Sequence, residues 1–133
     1  MEINVDMTKY SLDEAEEKIC YILQHTDGLN EDIVAKMAFS SLCLEEAMTL
    51  ETLKVMMECA VLFDKKQHDY GPGNIAKFGE FGVLVRTNDK LERLINLNKR
   101  GDTPANESVM DTWQDLSVYG AIARVVKQGQ WKS

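Results

Sequence analysis

Helical periodicity is the feature that most constrains the fold of this chain, because it extends along nearly the whole sequence. Val, Ile and Thr almost never alternate with polar residues as they do in strands, and the only prolines are Pro72 and Pro104. Both prolines lie among turn-forming residues, in "HDYGPGN" and "KRGDTPAN", which interrupt the helical pattern. The sequence therefore predicts an all-α fold, a bundle of about five helices.

Apolar residues at spacings of three and four place the individual helices. The predicted helices cover about 12–25, 30–42, 50–66, 83–98 and 107–127. Ser11 and Glu14 form a capping box before the first helix, and Asn30 is a candidate cap of the second. No helix breaker separates the second helix from the third, so whether they are continuous stays open. The segment "IAKFGEFG", weakened by Gly79 and Gly82, is a short helix or a turn.

Size and composition favour one globular domain over 1–133. The chain has 133 residues, of which 44% are apolar, enough for a core in which we expect Phe78 and Trp113. No apolar run is long enough to span a membrane, and the acidic N-terminus lacks the apolar segment of a signal peptide. Cys20, Cys43 and Cys59 lie within helical patterns, which predicts buried thiols. We therefore expect a cytoplasmic protein, in the host cytoplasm if it is phage-encoded.

The net charge of the chain restricts its ligands. At −7, it disfavours generic nucleic-acid binding through phosphate neutralisation. A negative chain still binds an anionic nucleotide when a divalent cation mediates the contact. With two histidines and no CxxC motif, a structural zinc site is not expected.

A row of acids marks the last predicted helix, "ESVMDTWQDLSVY". Glu107, Asp111 and Asp115 follow one another at intervals of one helical turn, where like charges repel. A solvated surface is the common explanation for such a row. However, Asp is a poor helix former, and Asp89 and Glu92 lie three residues apart on the preceding helix. If the two helices pack antiparallel, these carboxylates meet and suit Mg²⁺.

Basic and aromatic residues precede these acids. Lys66, Asp69 and Tyr70 lead into the glycine-rich turn, where Tyr70 is a candidate to stack on a base. Arg86 and Arg93 lie two turns apart on one helical face. They either balance the neighbouring acids or hold phosphate oxygens in bidentate fashion.

Two resemblances to known families follow from these motifs. "NDKLERL" followed by "DTWQDLSVY" resembles the paired helices of the all-α nucleotide pyrophosphohydrolases, the MazG and dimeric dUTPase group. Thr112 departs from that pattern, because those families usually have an acid there. A closer resemblance, over about 65–127, is to the phage and bacterial family called nucleotide modification associated domain 1. It rests on three elements, Lys66-Asp69-Tyr70-Gly71, Arg86-Asp89-Lys90-Arg93 and Glu107-Asp111-Asp115.

The resemblance implies a nucleotide site with assigned residues. The implied catalytic residues are Asp89, Asp111 and Asp115. The implied Mg²⁺ ligands are Asp89, Glu92, Glu107, Asp111 and Asp115. The implied nucleotide-binding residues are Lys66, Asp69, Tyr70, Arg86, Lys90 and Arg93.

Three functions remain open from the sequence. The first is Mg²⁺-dependent hydrolysis of a (deoxy)nucleoside triphosphate or modified nucleotide to the monophosphate and pyrophosphate. The second is a non-catalytic phage protein that sequesters a host signalling nucleotide. The third is a helical adaptor whose acidic face is only solvated. For the first two we expect a homo-oligomer, because an open groove on a small bundle needs a partner subunit to close it.

Overall fold

The structure is a computed structural model that describes residues 30–101 and 103–132, together with Glu14, Glu17 and Tyr21. The described residues form no strand, and they contain four long helices. These are α1 (Glu31–Ser41), α2 (Ala47–Tyr70), α3 (Gly73–Arg100) and α4 (Val109–Lys127). The predicted all-α class is thus confirmed. Ser11 of the capping box and nearly all of the first predicted helix lie outside the described residues.

The contacts of the chain divide it into two compact units, Met1–Glu58 and Cys59–Ser133. The first unit contains α1, and the second contains α3 and α4 together with the C-terminal part of α2. The expectation of a single domain over 1–133 stays a prediction. None of the described helices combines the length and the apolar character that crossing a membrane requires.

The first unit begins, in its described part, with a capped helix. The side chain of Asn30 accepts a hydrogen bond of 2.9 Å from the backbone N–H of Ile33, which confirms the predicted cap. After α1 ends, Cys43 has a left-handed backbone with φ of 54°. The chain turns there, so α1 and α2 are separate helices.

This turn also corrects the expectation for the cysteines. Cys43 is exposed rather than buried, because it lies in the turn instead of on the inner face of a helix. Cys59 in α2 is half-buried. Cys20 lies outside the described residues.

The glycine-rich segment interrupts the helices as predicted. Gly71 ends α2 with φ of 67°, and its N–H donates to the carbonyl of Gln67 at 2.8 Å. After Pro72, α3 begins at Gly73 and continues to Arg100. It contains a kink at Gly79, where φ is 62° and ψ is −154°. The predicted short segment and the predicted fourth helix are therefore one kinked helix.

The core of the second unit lies where α3 packs against α4. Ile75, Val83 and Ile122 are its buried residues. Partly buried residues surround them, namely Phe63, Val118, Tyr119, Ala123, Val126 and Trp131. The rings of Phe63 and Trp131 meet edge to face, with centroids 6.2 Å apart. This contact joins α2 and the C-terminal residues to the core.

Phe78 and Trp113 were expected in the core, and that prediction is wrong. Phe78 is 60% exposed and Trp113 is 55% exposed. Phe78 lies directly before the kink at Gly79, in the first part of α3. The inner face of α4 carries Thr112, so Trp113, one residue further, is rotated by about 100° away from it.

Candidate functional site

Four charged residues from four parts of the second unit form one ion-pair network. Lys66 lies near the end of α2, Lys90 in the middle of α3, Asp115 in α4, and Glu107 just before α4. The ammonium of Lys66 donates to Asp115 Oδ1 at 2.8 Å. Lys90 Nζ lies 2.9 Å from Asp115 Oδ2 and 2.9 Å from both carboxylate oxygens of Glu107. The two lysines and two acids thus alternate in a continuous chain of charge.

The pKa values of three members follow from this pairing. Burial would raise the pKa of Asp115, but hydrogen bonds from Lys66 and Lys90 outweigh it and hold that pKa below its usual range. Burial would lower the pKa of Lys90, but hydrogen bonds to Glu107 and Asp115 raise it to about 12. The hydrogen bond to Asp115 raises the pKa of Lys66. All three groups are therefore charged at neutral pH.

The start of α4 is organised by Thr112, which is fully buried. Its hydroxyl donates to Glu107 Oε2 at 2.9 Å and accepts from Arg93 Nη1 at 2.5 Å. Arg93 also donates to the backbone carbonyl of Glu107 and lies 3.8 Å from its carboxylate. Arg93 thus holds the segment before α4 against α3.

The position of the α4 cap shows that the three acids of the predicted row do not all belong to the helix. The side chain of Ser108 accepts from the N–H of Asp111 at 3.0 Å, and α4 begins at Val109. Glu107 lies outside the helix, two residues before the first residue of α4. Asp111 is exposed in the first turn, whereas Asp115 is buried. The three acids therefore lie in three different environments and do not form one solvated row.

A concave pocket of about 490 Å³ lies next to the ion-pair network. Its volume is in the range of small-molecule sites, about 300–1,000 Å³. Residues of α2, α3 and α4 line it, including Lys66, Gln67, Tyr70, Asn74, Arg86, Lys90, Glu107, Asp115 and Tyr119. The pocket thus combines cations, acids and two tyrosines on one surface.

The structure brings about half of the sequence-predicted site residues together. The pocket is lined by Lys66, Tyr70, Arg86, Lys90, Glu107 and Asp115. Five others are outside its lining, namely Asp69, Asp89, Glu92, Arg93 and Asp111. Of these five, all but Arg93 are exposed. The acid pair of α3 is therefore apart from the two acids of the pocket.

This arrangement bears on the predicted Mg²⁺ ligands. Within 30–101 and 103–132, no three side chains of His, Cys, Asp or Glu are grouped so that they could hold a metal ion. The two acids of the pocket, Glu107 and Asp115, already accept from lysine ammonium groups. As arranged, this donor set does not fit a metal ion. The assignment of Mg²⁺ stays a prediction.

Two residues in or next to the site were not predicted from the sequence. Tyr119 lines the pocket. Trp131 Nε1 donates to the carbonyl of Pro72 at 3.1 Å, and Pro72 follows Gly71, which lines the pocket. A sequence signal did exist for α4, because Thr112, Asp115, Tyr119 and Ile122 follow helical spacing on one face. No local pattern indicated Trp131, because 59 residues separate it from Pro72.

A scan of known protein families, a search of curated proteins and a search of solved structures each found no match to this chain. The resemblance to nucleotide modification associated domain 1 and to the MazG group stays a prediction that rests on the sequence elements quoted above.

Proposed function

We propose that the second unit binds a small nucleotide in this pocket and does so without a metal ion. The observation that carries the proposal is the convergence of Lys66, Arg86 and Lys90 beside Tyr70 on one concave surface. Three cations against two acids give the pocket a local excess of positive charge, although the chain as a whole carries −7. Such a surface attracts phosphate.

The hydrogen-bond capacity of each cation indicates which of them is available to phosphate. An ammonium group has three donors. Lys90 directs its donors to Glu107 and Asp115, whereas Lys66 makes one hydrogen bond, to Asp115. The side chain of Arg86 makes no hydrogen bond or ion pair with any described residue. We therefore assign phosphate binding to Arg86 and Lys66, and a positioning role to Lys90.

Tyr70 supplies the contact for the base. Its side chain is 72% exposed at the end of α2 while it lines the pocket. An aromatic ring that stays in water gains no free energy from apolar burial. A ring that stacks on a base gains it. A stacked base contributes about 1–3 kcal/mol by alanine substitution. Phosphate on Arg86 and Lys66 with a base on Tyr70 is the chemistry of a nucleotide.

The experiment is calorimetric titration with ATP, dTTP and cyclic di-AMP, each in EDTA and in Mg²⁺. We expect binding of at least one of them in EDTA. Arg86→Gln should weaken that binding by about tenfold or more, because a hydrogen bond to a charged group contributes about 1.5–3 kcal/mol. Arg124→Gln is the matched control, since Arg124 is exposed on α4 outside the pocket lining. Equal affinities in the two variants would refute the assignment of Arg86.

Magnesium-dependent hydrolysis of a nucleoside triphosphate is the second candidate. One observation favours it: the carboxylates of Glu107 and Asp115 both lie 2.9 Å from the same cationic atom, Lys90 Nζ. A divalent cation that displaced this ammonium would have both acids within reach. This candidate requires Lys66 and Lys90 to leave their present partners.

Asp115→Asn separates the two candidates. If the pocket retains nucleotide without metal, the variant frees Lys66 from a competing anion, and binding in EDTA should be unchanged or tighter. If the protein is a Mg²⁺-dependent hydrolase, the variant should lose turnover. Chromatography of the nucleotide after incubation distinguishes retention from turnover, and Asp111→Asn serves as the exposed acid for comparison.

A further inference from the structure

The charged side chains of the pocket leave only a small positive excess. The lining contains three cations, Lys66, Arg86 and Lys90, and two acids, Glu107 and Asp115. The other side chains of the lining are apolar, amide or tyrosine groups without formal charge. A ligand anion in this pocket therefore meets one positive charge that no acid of the lining balances.

The hydrogen-bond donors of these cations are equally limited. Lys90 Nζ lies 2.9 Å from both carboxylate oxygens of Glu107 and from Asp115 Oδ2, so the three donors of this ammonium are occupied. Lys66 uses one donor on Asp115 and keeps the others. The guanidinium of Arg86 makes no hydrogen bond with any described residue. Among the cations of the lining, only Lys66 and Arg86 thus have free donors.

We propose that the pocket takes a nucleotide with a single phosphate group in preference to a nucleoside diphosphate or triphosphate. This inference rests on the proposed nucleotide site and names the class of nucleotide that it binds. A phosphate monoester carries a charge of about −1.5 to −2 at pH 7, and a bridging phosphate carries less. The unbalanced charge of the pocket and the free donors of Lys66 and Arg86 match one such group.

The two acids oppose a longer phosphate chain. Every further phosphate adds negative charge, and the remaining cation of the lining, Lys90, holds both Glu107 and Asp115. A second phosphate that approached Lys90 would come close to both carboxylates, and like charges at short range repel. Arg93 does not offset this repulsion with free donors, because it lies outside the lining and its guanidinium donates to Thr112 and to the backbone carbonyl of Glu107.

The order of nucleotide affinities separates this inference from a general attraction of anions. If positive potential alone drew the ligand, affinity would rise with each phosphate, and ATP would bind more tightly than AMP. If the pocket is matched to one phosphate, AMP should bind more tightly than adenosine, and ATP should bind no more tightly than AMP.

Calorimetric titration of the full chain in EDTA tests this order with adenosine, AMP, cyclic AMP and ATP, and with thymidine, TMP and TTP. We expect at least one compound with a single phosphate to bind about tenfold or more tightly than its nucleoside, because its phosphate accepts hydrogen bonds from charged groups. The tighter of AMP and cyclic AMP identifies a terminal or a bridging phosphate. A triphosphate that binds more tightly than its monophosphate would overturn this inference and leave the nucleotide site standing. Absence of binding by every compound would overturn both.

Glu107→Gln tests whether the acids set the limit. The amide keeps an oxygen that can accept from the Thr112 hydroxyl, and it removes one negative charge from the lining. ATP binding should improve by about tenfold relative to AMP binding, because repulsion between a phosphate and a partly buried charge is strong at short range. Asp64→Asn is the matched control, since Asp64 is exposed in α2 outside the lining, and it should leave the ratio of the two affinities unchanged.

Asn74→Lys tests the same limit by adding a cation. Asn74 is exposed at the start of α3 and lines the pocket, so the substitution leaves the core intact. The ratio should again shift towards ATP, whereas Asn96→Lys, at an exposed position of α3 outside the lining, should not shift it. Circular dichroism checks that each variant retains its helices. An unchanged ratio in Asn74→Lys, or in a folded Glu107→Gln, would overturn the inference that charge limits the phosphate chain.

Discussion

At the scale of single residues, Asp115 decides the character of the site. A buried carboxylate is tolerated when its charge is paired, and here Lys66 and Lys90 each donate to one of its two oxygens. The same pairing makes the acid a stabilising group instead of an exposed metal ligand. Asp111, one turn earlier on the same helix, is exposed and makes no ion pair with any described residue. The two acids look equivalent in the sequence and differ entirely in the fold.

The lowered pKa of Asp115 predicts a dependence of stability on pH. The folded state binds the proton of Asp115 less tightly than the unfolded state, whose pKa is near 3.8. Its contribution is therefore fully present above that pH and is lost as pH falls through the lower folded pKa. Asp115→Asn should lower the free energy of unfolding at pH 7 and make its decline between pH 4 and pH 2 less steep, by about one titrating group. Urea unfolding across this range measures it.

Asp111→Asn is the control for this experiment. Its exposed carboxyl should leave both the stability at pH 7 and the acid decline nearly unchanged, or should stabilise slightly by relieving repulsion between acids. Identical acid declines in the wild type and in Asp115→Asn would contradict the assigned role of Asp115.

Thr112 gives a second prediction at this scale. Thr112→Val keeps the size of the side chain but removes the hydroxyl that joins Arg93 to Glu107. We expect a loss of about 1.5–3 kcal/mol, because the charged groups of Arg93 and Glu107 each lose their hydrogen bond to this hydroxyl. Thr52→Val in α2 should change stability little, since the Thr52 hydroxyl is exposed and bonds only within its own helix. Equal thermal melts of the two variants would show that Thr112 is not structurally important.

At the scale of elements, the kink in α3 positions its two halves. Ile75 before the kink and Val83 after it both reach the same core cluster. In a straight helix, the side chains of Ile75 and Val83 would point in different directions from those they have here. The kink is possible because Gly79 has no Cβ, and its φ of 62° with ψ of −154° lies in a region that only glycine adopts readily.

Gly79→Ala should therefore destabilise the protein by about 1–3 kcal/mol through backbone strain. Steric crowding plays no part, because a Cβ at this position would meet no atom within 4 Å. Gly73→Ala is the matched control at the start of α3, where φ is not positive and the space is also open. Chemical denaturation of both variants would measure the difference, and an unaffected Gly79→Ala would mean that the kink is not required.

At the scale of the whole molecule, the second unit joins distant parts of its chain around the pocket. Trp131, near the end of the chain, donates to the carbonyl of Pro72 in the α2–α3 turn and contacts the ring of Phe63. The same turn contributes Gly71 and Asn74 to the pocket lining. The C-terminal residues thus support the pocket from outside.

Trp131→Phe should retain the ring contact and lose the hydrogen bond. We expect a loss of about 0.5–1.5 kcal/mol in stability, together with faster backbone hydrogen exchange at Gly71 and Gly73. Lys132→Ala is the control, since Lys132 is exposed beside it. Unchanged exchange in the turn would show that Trp131 does not hold it.

The sequence by itself determined that the fold is helical and where the principal interruptions between helices lie. Helical periodicity predicts helices from local spacing alone, and Asn30 and the "HDYGPGN" turn act through their own backbone geometry. The sequence also identified four candidate site residues, namely Lys66, Arg86, Glu107 and Asp115. Charged side chains can be recognised as candidates without knowledge of the fold. The count of about five helices is not tested by the described residues.

Only the tertiary structure decided which of those residues meet. Charged residues at helical spacing show a common face but not whether that face turns inward, since the direction depends on packing against other helices. Hence Thr112 and Asp115 are buried while Trp113 is exposed, against the order of hydrophobicity. Burial then required partners for Asp115, and two lysines from distant helices supply them. That pairing, a product of long-range contacts, turned a row of acids into an alternating network beside a cationic pocket.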